Sequence, residues 1–317
     1  MSVEKVSLSG TTVAVLGGGG FIGTHLVNAL LERGAQVRVY ERDPVAQYRA
    51  GMVVPVAGDF ADGSGLDAAL AGADVVYHLI STTVPGTSNA DPVGDVQSNL
   101  VGTLRLLQEM RKHQVKRIVY LSSGGTVYGQ PSCLPVSEDH PLDPLCSYGI
   151  VKVAVEKYLN MYCVLEGLTA TVLRVSNPYG GTVRRTNNLQ GAIPIFLRKM
   201  LAGESIEIWG DGSTVRDYIY IDDLTNAMVC ALGVEGSGVY NIGSGVGHSL
   251  NEVLEILSDV TGIEARVRYS APRGFDVSRI VLDVSRAQEA LGWQSGTTLH
   301  QGCSLYWDQL RVQTTGA

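Results

Sequence analysis

Residues 12 to 31 read TVAVLGGGGFIGTHLVNALL, and this stretch decides the fold. An apolar strand pattern runs straight into Gly17-Gly18-Gly19-Gly20-Phe21-Ile22-Gly23 and then into a helix pattern. Gly17, Gly20 and Gly23 form GxxGxxG. Glycine permits the tight turn and lets backbone approach a pyrophosphate at the helix N-terminus. A glycine-rich turn alone says little. Its place between strand and helix gives it meaning.

Working outward, short apolar runs alternate with longer amphipathic stretches, the signature of βαβ units and a parallel sheet. Strands are expected at TVAVLG, QVRVYE, MVVPVAG, DVVYHLI, RIVYLSS and ATVLRVS, with helices at 22–33, 97–113 and 149–166. In the last, Val151, Val155 and Leu159 recur at helical spacing. Beyond Asn177 the rhythm loosens. PYGGTVRRTNN reads as a loop, GAIPIFLRKMLAG as a helix, and IEIWGDGSTVRDYIYI as two strands around a turn. LNEVLEILSDV is a further helix pattern. The expected fold is α/β: a Rossmann-type doubly wound parallel sheet with a smaller α+β C-terminal substrate lobe. Residues 1–177 with 216–241 make the nucleotide domain, and 178–215 with 242–317 make the lobe.

At 317 residues the chain builds a substantial core. A net charge of −7 gives no general attraction to nucleic acid or anionic membrane, so an anionic substrate needs local positive groups. Five scattered cysteines fit neither a disulfide framework nor a metal site. No apolar run reaches the roughly 20 residues of a membrane span. The N-terminus lacks the apolar core of a signal peptide. A reduced, cytoplasmic protein is expected.

The second strand ends at Glu41, where a carboxylate can bind both adenosine ribose hydroxyls and repel a 2′-phosphate. NAD is therefore favoured over NADP. Arg42 is the counter-argument, since a guanidinium could take that phosphate. Asp59, after the third strand, could accept a hydrogen bond from the adenine amino group.

Tyr148-Gly149-Ile150-Val151-Lys152 sets a phenol and an ammonium four residues apart on one helical face. An ammonium favours phenolate, lowering the tyrosine pKa from about 10 toward neutrality and making a general base. YxxxK is common by chance. It becomes persuasive beside the phosphate loop and Leu121-Ser122-Ser123-Gly124-Gly125-Thr126-Val127-Tyr128-Gly129, one strand earlier.

With these motifs together, the whole chain resembles the extended short-chain dehydrogenase/reductases, in their nucleotide-sugar epimerase/dehydratase branch. GGGGFIG, VVYHLIS, SNLVGTLRLL, SSGGTVYG, YGIVK, SNPYG, GDGSTVRDYIYIDDL, NIGSG and LGW occur in that branch's order. The resemblance is greatest to the UDP-glucose (UDP-galactose) 4-epimerase group. It implies that Gly17, Gly20, Phe21, Ile22 and Gly23 hold the pyrophosphate and Glu41, with Arg42 beside it, meets the ribose. Asp59 and Phe60 would meet the adenine. Leu79, Ile80, Ser81, Asn99, Ser122 and Val175 would lie along the cofactor. Tyr148 would be the acid/base, and Lys152 would bind the nicotinamide ribose. Asn177, Asn188, Leu189, Arg216, Arg273 and Asp276 match nucleotide-sugar contacts, with the two arginines suited to a diphosphate. The implied activity is NAD-dependent 4-epimerisation of a UDP-hexose through a transient 4-keto sugar. The implied assembly is a homodimer through helices 97–113 and 149–166.

One departure stands out. Relatives carry a third catalytic hydroxyl at the position that is Gly124 here, leaving Ser123, Thr126 or a bound water to replace it. Thr126 would share the face of Gly124 if the strand stayed regular, whereas Ser123 needs an irregular backbone. Gly125 and Thr126 also stand where the branch's dehydratases keep Asp-Glu, and Thr126 where its decarboxylases keep Glu. Lyase chemistry, the main alternative, thus loses a needed group. A pocket position affecting N-acetyl sugars falls at Ile280, which leaves N-acetylhexosamine, hexose and hexuronate open.

Overall fold

The computed structural model describes residues 7–43, 48, 51–181, 191–271 and 277–315. A seven-stranded, wholly parallel sheet forms its centre. Its strands are β1 (Thr12–Leu16), β2 (Gln36–Glu41), β3 (Val54–Ala57), β4 (Val75–His78), β5 (Arg117–Ser123), β6 (Thr169–Val175) and, from much later in the chain, Gly238–Ile242. The spatial order is Gly238–Ile242, β6, β5, β4, β1, β2, β3, so strand order reverses between β1 and β4. A crevice opens at the carboxyl ends of the strands at such a switch point, and ligands bind there.

Side-chain alternation explains why helices cover both faces. Val13 and Val15 point into one apolar cluster with Leu26, Leu30, Val37 and Val39. Ala14 and Leu16 point into a second, with Val76, Leu106, Leu107 and Leu159. The helices are α1 (Phe21–Leu31), α2 (Leu66–Leu70), α3 (Pro92–Asp95), α4 (Gly102–Lys112) and α5 (Ser147–Glu166). Between α3 and α4 the chain widens into a π-helical turn, Val96–Val101. The helix expected at 97–113 is therefore a composite.

The second half begins with β7 (Asn177–Tyr179), α6 (Ala192–Leu201), β8 (Ile206–Trp209), β9 (Val215–Tyr220) and α7 (Ile221–Cys230). The Gly238–Ile242 strand is β10. After it come β11 (Gly247–Ser249), α8 (Leu250–Thr261), β12 (Val267–Ser270), β13 (Arg279–Ile280), α9 (Ser285–Leu291) and α10 (Leu299–Thr315). The two strands of IEIWGDGSTVRDYIYI do form, but they do not pair with each other. β8 pairs with β12, while β9 pairs with β7, β11 and β13. Gly210 and Gly212, both at positive φ, carry the chain from one small sheet to the other.

A buried ion pair locks α5 to the sheet. Arg174 of β6 meets Glu156 of α5 at 2.7 Å, each side chain 5% exposed. Ser122 donates to the same carboxylate, and Arg174 also donates to Tyr128 and to the Glu138 carbonyl. Every charge in this bracket has several hydrogen bonds, the condition under which buried ions are tolerated.

Candidate active site

The glycine loop follows β1 and ends in α1. Gly17 has φ +88°, and a Cβ there would lie 3.1 Å from the Ile80 backbone nitrogen. A Cβ on Gly23 would lie 2.1 Å from the Gly17 carbonyl oxygen. These two positions must be glycine for the loop to close against β4 and α1. Glu41, at the end of β2, accepts a 2.7 Å hydrogen bond from the Gly19 N–H. Burial raises its pKa, against the Gly19 hydrogen bond and the nearby Arg42 charge. Arg42 itself is exposed. A glycine cradle with a carboxylate at the ribose position fits NAD.

Several residues expected along the cofactor are committed elsewhere. Phe60 is buried, packed on His78 and beneath Gly102, so its ring cannot meet an adenine and only its backbone remains for that contact. Asp59 accepts from the Ala61 N–H. The Ser122 side chain faces Glu156, as the alternation along β5 requires, so only its backbone remains for the expected place beside the cofactor. Val175 is buried in the core, and its carbonyl accepts from the Gly124 N–H. The Asn99 amide holds Thr82 and Asp95. Leu79 and Ile80 lie against Gly17, and Ser81 follows them at the cavity.

Tyr148 and Lys152 occupy the first turns of α5 and line one cavity with His78, Ile80, Ser81 and Asp95. Lys152 is 5% exposed; its Nζ donates to the Leu121 carbonyl at 2.7 Å and lies 5.5 Å from the Tyr148 ring centroid. Burial pulls Lys152 down to about 8, while Glu156 and Asp95 oppose the fall. Part of Tyr148 is exposed, yet burial pushes its phenol up to about 12. The expected drop toward neutrality is not what the protein alone gives: burial is the largest influence on the phenol. Thr103 donates to the Asn99 carbonyl, so its 2.9 Å contact with His78 is donated by imidazole Nε2–H. Burial pulls His78 down to about 3, leaving it neutral.

The LSSGGTVYG segment answers its own question in part. β5 ends at Ser123, and the chain then turns, with Thr126 N–H and Val127 N–H both donating to the Ser123 carbonyl. Thr126 therefore does not continue the strand's face, and its buried Oγ1 makes no hydrogen bond within the protein. Ser123 and Ser81 are the neighbouring hydroxyls that favour the Tyr148 phenolate, against the larger effect of burial. A Cβ on Gly124 would lie 2.6 Å from Leu282 Cδ1 and 3.0 Å from the Arg174 carbonyl oxygen. Leu282 occupies the space a hydroxyl there would need.

In the second half, Asn177 Nδ2 donates to the Asp217 carbonyl, and Arg216 lies on β9 beside Ile280 of β13. Ile280 is 2% exposed and belongs to the core, which corrects its expected place in a sugar pocket. Asn188, Leu189, Arg273 and Asp276 lie outside the described residues. Sequence reading missed Ser88, Asn89 and Asp95, which hold the start of α5. The Asp-Pro at 91–92 and the carboxylate after it were the available signal.

A parallel sheet with a glycine cradle and a tyrosine–lysine pair at one crevice defines a dinucleotide-dependent enzyme of the short-chain dehydrogenase type. The chain belongs to the NAD dependent epimerase/dehydratase family, whose model matches residues 13–243. It is 36% identical over 299 residues to a UDP-glucose 4-epimerase of Mycolicibacterium smegmatis, covering 91% of this chain and 95% of that one. Among solved structures it resembles a UDP-glucose 4-epimerase of Thermotoga maritima with UDP-glucose. The TM-score is 0.89 and the identity 32%, covering 96% of this chain and 100% of the other. A UDP-glucose 4-epimerase of Thermus thermophilus in complex with NAD matches at TM-score 0.86 and 32% identity, over 95% and 99% of the two chains.

Gly124→Ser is expected to lower stability by about 1–3 kcal/mol through overpacking against Leu282, without raising turnover. Leu282→Ala in the same chain should reduce that penalty. Thermal unfolding of the three variants checks both.

Proposed function

We propose that the protein interconverts UDP-glucose-type and UDP-galactose-type sugars by NAD-dependent epimerisation at C4. The observation carrying this reading is the Tyr148–Lys152 pair, with Ser123 at its side, set at the crevice beside a glycine cradle and Glu41. Bound there, oxidised NAD supplies a hydride acceptor for the sugar C4 and a positive charge beside the phenol. Gly17, Gly20, Phe21, Ile22 and Gly23 hold the pyrophosphate end, and Glu41 the adenosine ribose. Lys152 binds the nicotinamide ribose. Tyr148 takes the proton of the C4 hydroxyl and later returns it, while Ser123 orients the C4 oxygen.

Residues 1–177 with 216–241 form the cofactor unit, and 178–215 with 242–317 form the sugar lobe. The 216–241 segment contributes β9 to a small sheet and most of β10 to the large one. Asn177 and Arg216, with Asn188, Leu189, Arg273 and Asp276, are the proposed nucleotide-sugar contacts. No helix among the described residues is long and apolar enough to cross a membrane. Five free cysteines suit a reducing cytoplasm.

A homodimer is also proposed. Ile150, Tyr158, Met161 and Leu165 form an exposed apolar stripe along α5, and Val93 and Val96 are exposed on the composite helix. Surface stripes of this kind mark association sites. Light scattering is expected to give twice the mass of one chain, and Leu165→Glu to halve it. A monomer before substitution would refute the dimer.

The reaction is tested by NMR of UDP-glucose, UDP-N-acetylglucosamine and UDP-glucuronate incubated with enzyme and NAD. Inversion at C4 of UDP-glucose is expected; loss of water or carbon dioxide would overturn the reading. Ser123→Ala should cut turnover by about 10²-fold or more, the scale of a positioned proton transfer. Thr126→Val should cost far less.

A further inference from the structure

The helix that carries Tyr148 and Lys152 begins without a cap of its own. Cys146 holds the N-cap position and its side chain makes no capping hydrogen bond. The first N–H groups of a helix need partners, and here they come from another part of the chain. Asn89 Oδ1 accepts from the Ser147 N–H at 2.9 Å, and Ser88 Oγ accepts from the Tyr148 N–H at 3.1 Å. Ser147 Oγ then donates to Asp95 Oδ2 at 2.6 Å. The segment after β4 caps α5 in trans, one residue before the catalytic tyrosine.

Asp95 is the centre of this cap. It is 1% exposed, and besides Ser147 it accepts from Thr83 Oγ1 at 2.7 Å and Asn99 Nδ2 at 2.8 Å. These donors are all neutral. Its carboxyl lines the same cavity as Tyr148 and Lys152. A carboxylate buried without a cation in contact is costly, so its retention calls for a charge that it serves at longer range. Lys152 is the cation that lines this cavity with it.

We propose that Asp95 is a positioning residue for the tyrosine–lysine pair, fixing the first turn of α5 through Ser147 and helping to keep Lys152 protonated. The proposal deepens the epimerase reading and rests on it for its activity arm alone. The ionisable groups around Lys152 are Glu156 and Tyr148 on its own helix, Tyr120 on β5, His78 on β4 and Asp95 on α3. His78 is neutral, and Glu156 is shared with Arg174. Glu156 has the larger influence on Lys152 and Asp95 the next, and among the described residues only Glu156 of the two is in contact with a cation.

The sign follows from electrostatics. Removing a negative charge makes the Lys152 ammonium easier to deprotonate and the Tyr148 phenolate easier to form. Both titrations then move to lower pH together. Asp95→Asn keeps the size and an accepting oxygen but loses the charge. It is expected to lower the Lys152 titration by about one pH unit, read by pH-dependent amine labelling of the NAD-loaded protein. Labelling needs no substrate, so a wrong substrate assignment leaves this arm standing. In the epimerase assay the whole pH profile should move acidward. Ser147→Ala, which removes the hydrogen bond and leaves the charge, should lower kcat without moving the profile. If Asp95→Asn lowers kcat or the melting temperature while both titrations stay in place, Asp95 is only structural and the proposal falls. If that variant fails to fold, the unaltered protein still decides. The Asp95 carboxyl carbon NMR signal should move as Lys152 titrates and stay flat in Lys152→Met. A signal that ignores the lysine overturns the proposal.

Discussion

An ammonium buried inside the protein is the constraint on which the rest of the structure turns. Lys152 is 5% exposed and gives one hydrogen bond to the Leu121 carbonyl. Burial opposes its charge, so the surroundings must supply compensation. Glu156, one turn along α5, and Asp95 across the cavity do so. Each carboxylate must in turn be held. Arg174 and Ser122 fix Glu156, while Ser147, Thr83 and Asn99 fix Asp95. These supports draw together β5, β6, α3 and α5, which are the elements that frame the crevice.

The same constraint shapes the tyrosine. The surroundings that keep Lys152 out of water also keep the Tyr148 phenol protonated, with a pKa pushed up to about 12. A tyrosine in that state is an acid waiting for positive charge. Oxidised NAD, held by the glycine cradle and Lys152, would supply both that charge and the hydride acceptor, while Tyr148 would take the proton. Ser123 sits where β5 breaks, and its hydroxyl favours the phenolate. Leu282 fills the space that a side chain at 124 would take, so no hydroxyl stands there.

What could be read from the sequence is what is local in sequence. The strand–glycine–helix run at 12–31, Glu41 at a strand end and the Tyr148–Lys152 spacing each lie within a single unit, and each stands where its pattern placed it. What could not be read depends on contacts between distant segments. Leu282 lies 158 positions from Gly124, and nothing near LSSGGTVYG announces it. The cap on α5 comes from residues 88–95, some 50 positions upstream of Ser147. β8 and β9 read as two strands around a turn, yet each pairs with strands from elsewhere. Ser122 and Phe60 were placed by resemblance beside the cofactor, whereas their side chains turn into the core.

In epimerisation through a 4-keto sugar, hydride leaves C4 and returns to the same carbon without meeting water. UDP-glucose carrying deuterium at C4, incubated with the NAD-loaded enzyme in ordinary water, tests it most directly. UDP-galactose with the deuterium still at C4 is expected. Product with hydrogen from solvent at C4 would contradict it.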